Sequence, residues 1–192
     1  MIRRLASVLG ILALATPLAL AQTSTWVPDK AHSEVDFTIL HMSLSNVRGH
    51  FGNIGGTVVW NDGDITKSTV NVTIDASSID TGVTARDNDL KSPNFFDAAQ
   101  FPTATFASTG ISKTGGGLQI SGNLTLHGVT KPVVLQVQGP KGPITGMDKK
   151  PHCGFSGTTT IKRTDFGIGV KVPAAVVGED VALTFDLDVV KQ

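Results

Sequence analysis

The 192-residue chain has no tyrosine, two tryptophans (Trp26 and Trp60) and one cysteine, Cys153. A lone thiol cannot form an internal disulfide, so stability must come from an apolar core. Cys153 has no C-x-x-C partner, and the five histidines show neither H-x-H nor H-x-x-x-H spacing. The expectation is that the protein holds no metal. An excess of one charge is lacking too, since 16 basic residues balance 16 acidic ones. Such a chain offers no electrostatic footprint for nucleic acid or an anionic membrane surface. Past residue 20, no apolar run approaches the ~20 residues that a membrane-spanning helix needs.

The N-terminus carries a signal of export. Met1-Ile2-Arg3-Arg4 is a short basic start, Leu5 to Leu20 is apolar, and Ala19-Leu20-Ala21 has the small-x-small pattern of a cleavage site. Pro17 and the shortness of the run argue against a membrane anchor. The expectation is a signal peptide over residues 1–21 and a mature chain from Gln22. No cysteine stands directly after the cleavage point, where Gln22 lies instead, which argues against a lipid-anchored form. Losing Arg3 and Arg4 leaves 14 basic against 16 acidic residues. Residues 22–192 read as one domain, without a low-complexity tract or Pro-rich linker.

What is abundant is alternation. Val35, Phe37, Ile39 and His41 share one phase of a period-two pattern; so do Val70, Val72 and Ile74. Leu118, Ile120, Leu124 and Leu126 continue the pattern through Gly122. After a polar break from His127 to Pro132 it resumes at Val133, Leu135 and Val137, as in a hairpin. Cys153, Phe155, Thr159, Ile161 and Arg163 form another run, and Val181, Leu183, Phe185, Leu187 and Val189 a last one. Each is a strand with one dry face and one wet face. Many such strands, with 21 glycines for turns and bends, predict an all-β barrel or sandwich. An outer-membrane barrel also has one apolar face, but it carries aromatic girdles that a chain without tyrosine cannot build. The dry faces are therefore expected to point inward.

One segment departs from alternation. Thr84 followed by Asp87 resembles a capping box, and Ser92-Pro93 is a stop, which predicts a two-turn helix near Thr84–Lys91. The apolar Phe95, Phe96 and Phe101 that follow are expected to plug or cover one mouth of a barrel. Other motifs dissolve on inspection. Asp165-Phe166-Gly167 lacks every other kinase element. Asn71-Val72-Thr73 and Asn123-Leu124-Thr125 fit the glycosylation pattern, but lie mid-strand. His32 and Ser33 are strand neighbours that point apart, so they form no catalytic pair.

The stretch L-T-L-H-G-V-T-K-P from Leu124 to Pro132 resembles the signature of the YceI-like family. The likeness extends over nearly all of the mature chain. It takes in Trp26-Val27-Pro28-Asp29 with His32-Ser33, Val47-Arg48-Gly49-His50-Phe51, and Asp80-Thr81 with Arg86-Asp87. It continues through Phe95-Phe96-Asp97, Phe101-Pro102 and Arg163-Thr164-Asp165-Phe166-Gly167. Asp89 stands where the family usually has His, and Pro28 where it has Ile. The resemblance implies a periplasmic, antiparallel lipocalin-like barrel of about eight strands, holding an isoprenoid or quinone-like lipid and using no other cofactor. An enzyme acting on a lipid in the same cavity, with His41 as acid or base, is an alternative, as is a ligand-free structural or stress protein. A homodimer is left open.

Ligand-facing candidates are Phe37, Ile39, His41, Val72, Arg86, Phe95, Phe96, Leu124, Leu126, Phe155, Arg163 and Phe185. Arg163 shares the inward phase, and an inward Arg must be paired. The expected partner is Asp87 or Asp165; a lipid head group is the alternative. Arg86 carries the same choice between a structural partner and a head group. N-terminal sequencing of protein from the periplasm should begin at Gln22; an intact Met1 on cytoplasmic protein would contradict export.

Overall fold

The structure, a computed structural model, describes residues 22–192; the expected signal peptide lies outside them. The strands are β1 (Thr23–Pro28), β2 (Glu34–His41), β3 (Ser45–Phe51), β4 (Ile54–Asn61), β5 (Thr69–Asp75) and β6 (Ile79–Asp80), then β7 (Thr103–Thr114), β8 (Gly117–Leu126), β9 (Val129–Thr145), β10 (Pro151–Lys162) and β11 (Val177–Lys191). Among the described residues the one α-helix, α1, spans Thr84–Lys91. Eight strands close a ring in the order β1-β4-β5-β7-β8-β9-β10-β11, with β11 returning to β1. The expected antiparallel barrel is therefore present, with β2, β3 and β6 as additions to it.

The closure divides the free edge of β11 between two partners. β1 pairs with its last residues, Trp26 against Lys191 through Pro28 against Val189. β2 pairs with its earlier part, from Val177 opposite His41 to Asp186 opposite Glu34. At one end the wall is thus β1 and β4, and at the other it is β2, β3 and β6.

The dry phases point inward, because a strand's alternate side chains face opposite sides of a closed sheet. Buried residues form three apolar clusters along the barrel. One is centred on Phe106, Leu118 and Ile120, one on Trp26, Val58 and Val189, and one on Ile161, Phe166 and Ile168. Inward glycines make room for rings. A Cβ on Gly157 would collide with the Phe185 ring opposite it, and one on Gly122 with the Phe106 ring. Cys153 is buried in the wall, and that burial pushes its thiol pKa up, which makes it a poor nucleophile.

Three local expectations are corrected. The hairpin break is only His127-Gly128; Leu126 pairs with Val129, and Thr130 to Pro132 belong to β9. His127 and Gly128 both have positive φ, 50° and 73°, as the tight hairpin turn between right-twisted strands demands. The helix has the expected extent, but Thr84 does not cap it. Its N-cap is Val83, without a side-chain bond, and Asp87 instead accepts from the backbone N–H and hydroxyl of Thr81. Finally, β10 ends at Lys162, so Arg163 opens a 3-10 turn over Arg163–Phe166 rather than continuing the strand.

Candidate functional site

The inner face encloses two chambers. The first, with about 1020 Å³ of space partly open to solvent, is lined by residues such as Val70, Val72, Phe106, Phe155 and Phe185. The second holds about 910 Å³ on the same measure and lies toward α1, with Phe37, Ile39, Leu90, Phe95, Phe96 and Ile161 in its wall.

No polar atom reaches either wall surface. The few polar residues along the walls have their polar atoms bonded. The Ser68 hydroxyl accepts from the Asn61 N–H at 3.0 Å, and the Thr159 hydroxyl donates to the Val134 carbonyl at 2.9 Å. Arg163 is 4% exposed, and its guanidinium gives every N–H to a backbone carbonyl. Nε donates to Gly178, Nη1 to Ile168 and Gly169, and Nη2 to Val172 and Val177. The fork geometry of guanidinium suits such divergent acceptors, whereas an ammonium would reach fewer of them. Neither expected carboxylate is its partner: Asp87 serves Thr81, and no hydrogen bond or ion pair joins Arg163 to Asp165. With all five donors taken, Arg163 has none left for a head group. It ties together the loop from Gly167 to β11 that forms part of the second chamber's wall.

Ten of the twelve candidate residues line a chamber. Val72, Phe155 and Phe185 line the first; Phe37, Ile39, Phe95, Phe96, Leu126 and Arg163 line the second; Leu124 lines both. His41 and Arg86 line neither. His41 is the last residue of β2, half-buried and paired with Val177 of β11. Arg86 points back along the chain, its Nε donating to the Thr81 hydroxyl at 2.8 Å and its Nη2 to the Thr81 carbonyl at 2.9 Å. Of the three phenylalanines expected to plug or cover a mouth, Phe95 and Phe96 line the second chamber, and Phe96 stacks edge-on against Phe51 with centroids 5.6 Å apart. Phe101 instead packs on His127, 4.6 Å away, and lines neither chamber. Leu90, Ile168 and Val177 were not among the candidates. They lie in the helix, a loop and the start of a strand, where no alternation marks them.

A separate polar cluster sits where β10 and β11 adjoin the turn after β1. His152 Nδ1 is 2.8 Å from Asp188 Oδ1, and its Nε2 is 3.1 Å from Asp148 Oδ1. His32 Nδ1 is 3.0 Å from Asp29 Oδ2. Among the described residues, Asp29, His152 and Asp188 are the one trio able to meet at a single ion, with ligand atoms within 4.8 Å of one another. Both ring nitrogens of His152 already face carboxylates, an arrangement that favours an imidazolium. The Asp188 and Asp148 bonds push its pKa up, while the Lys150 N–H, chiefly, and His152 hold Asp148 below the usual carboxylate range.

Comparison with known proteins decides the family: the YceI-like domain profile matches residues 26–189. The chain belongs to the YceI-like family. The protein YceI of Salmonella newport strain SL254 is 38% identical over 165 residues, spanning 84% of this chain and 83% of its own length. The crystal structure of the Campylobacter jejuni YceI protein superimposes with a TM-score of 0.71–0.70 across its forms; the first is 29% identical, covering 80% of this chain and 90% of its own. A polyisoprenoid binding domain from Saccharophagus degradans shares the fold at a TM-score of 0.64 and 17% identity, over 89% of this chain and all of its own. The stretches whose resemblance to the family was noted above take distinct places in this YceI-like barrel. Arg163 anchors a loop, the His127-Gly128 turn joins β8 to β9, and Phe95-Phe96 line the second chamber.

Two predictions test these assignments. Arg163→Met should cost on the order of 3–5 kcal/mol of unfolding free energy, because several buried carbonyls lose their donors at once. In chemical denaturation, adding Asp165→Asn or Asp87→Asn should be additive within ~0.5 kcal/mol; larger coupling would restore the ion pair. The second prediction concerns His152. A raised pKa means that its stabilising contribution is complete below the ordinary imidazole value of about 6.5 and is lost as pH rises through the raised value. The melting-temperature gap between wild type and His152→Gln should therefore be wide near pH 6 and close toward alkaline pH. A gap that widens with pH would contradict the charged bridge.

Proposed function

We propose that this protein is a periplasmic binding or carrier protein for a long apolar lipid, an isoprenoid or quinone-like chain, held within the barrel. The observation that carries the reading is the bore: two adjoining chambers whose surface is wholly apolar. Water in such a space has nothing to bond, whereas a hydrocarbon chain gains ~0.8 kcal/mol for each CH₂ it buries. The polyisoprenoid binding domain of Saccharophagus degradans, which shares the fold, supports the ligand class. The export signal at the N-terminus supports the compartment.

The enzyme alternative finds little to work with. Among the described residues lining the chambers, Arg163 is the one ionisable group, and its donors are all engaged. His41 lines neither chamber. Chemistry on a bound chain would need an acid, base or nucleophile at the reacting atom. The packed-barrel alternative would leave no room for a chain, and the chambers argue against it.

Protein purified from its native periplasm without detergent should yield, on solvent extraction, a long-chain lipid in near-stoichiometric amount. Stripping that lipid should lower the melting temperature, and adding it back should restore it by mass action. An empty extract, together with stripped protein that prenyl chains do not stabilise, would overturn the binding role.

A further inference from the structure

The two chambers meet at a ring of four side chains that line both: Val35 of β2, Ile74 of β5, Leu124 of β8 and Leu183 of β11. Leu124 is central to this ring. It packs against the Phe106–Leu118–Ile120 cluster on one side and against the Ile161–Phe166–Ile168 cluster on the other. It is only half-buried, so part of its surface is free to meet whatever occupies the bore. The wall around it has little slack. Phe106, paired across the sheet with Leu124, lies in the space left by Gly122, and Phe185 lies in that left by Gly157.

Among the described residues none along the bore is free to read a polar head group, because the Arg163 donors and the Ser68 and Thr159 hydroxyls are already bonded within the protein. Selectivity must then come from the shape and length of the chain. We propose, building on the lipid-binding reading above, that the ring is the chain-length determinant of this site, with Leu124 as its principal residue. A short prenyl or alkyl chain fits within one chamber. A chain that threads the ring occupies both, and because the chambers are of similar size it buries more apolar surface than a chain confined to one. The protein accordingly favours long chains and is indifferent to their head groups.

The test uses the stripped full-length mature protein, with farnesol, geranylgeraniol and solanesol as probes in competition binding. Wild type should prefer solanesol to farnesol by at least about tenfold. Leu124→Trp narrows the ring and should weaken solanesol by about tenfold or more, while farnesol stays within about twofold. Leu124→Ala, which widens it, should keep the preference for solanesol. Replacing the solanesol hydroxyl by a benzoquinone head should leave the order of these variants unchanged. If Leu124→Trp fails to fold, Leu183→Phe and Val35→Phe narrow the same ring and carry the same expectation. Equal losses for short and long probes, or no loss for either, would overturn the length assignment while leaving the binding role intact. Wild type that takes up none of the three probes would instead overturn the binding role itself.

Discussion

The pairing of three residues of β1 with the end of β11 is the constraint on which the rest of the structure depends. A long sheet with one apolar face must either stack on another layer or curl until that face meets itself. Here it curls, and the Trp26–Lys191 to Pro28–Val189 contacts close the ring. Closure removes the exposed edges of eight strands and puts all of their dry faces into one enclosed space. Because β1 uses only the last residues of β11, the remaining edge is free for β2, and through β2 and β3 the wall extends beyond the ring. The second chamber exists because of that division.

The interior is apolar on its surface but not in its composition. Arg163, Ser68 and Thr159 all stand along the wall, and each turns its polar atoms into hydrogen bonds with the backbone. A buried guanidinium is tolerated because five carbonyls surround it; removing any part of that set would leave costly unpaired groups. The result joins packing to function, since the residue that holds the Gly167–Val177 loop in place also keeps charge away from the bore. Phe95 and Phe96 follow the same logic. The helix is pinned to Thr81 by Asp87 and Arg86, and the chain that leaves it delivers two rings to the chamber wall.

Several of these features were legible before any coordinates. Most residues sharing a phase in β2, β5, β8, β10 and β11 line the chambers, His41 and Cys153 excepted, because strand geometry allows alternate side chains no other common direction. The end of α1 followed from Ser92-Pro93, whereas its start at Thr84 was expected from a cap that the structure does not form. Partnership was where inference failed. The inward phase of Arg163 was clear, but its acceptors are main-chain carbonyls, which every residue possesses and no side chain announces. His41 shared the inward phase, yet it lines neither chamber. Phe101 looked like its neighbours Phe95 and Phe96, and the turn after Asp97 sends it to His127 instead.

The sequence by itself determined the class of fold, the apolar character of one face of each strand, and the absence of disulfide support, since each depends on local periodicity or composition. Only the tertiary structure decided that the bore is split by Val35, Ile74, Leu124 and Leu183, which come from four strands spread over 149 residue numbers, 35 to 183 inclusive. It likewise brought Asp29 to His152 and Asp188, and five carbonyls to Arg163. The physical reason is register: alternation states which way a side chain points, but only the hydrogen-bonded stagger of closed strands sets which side chains stand at the same level.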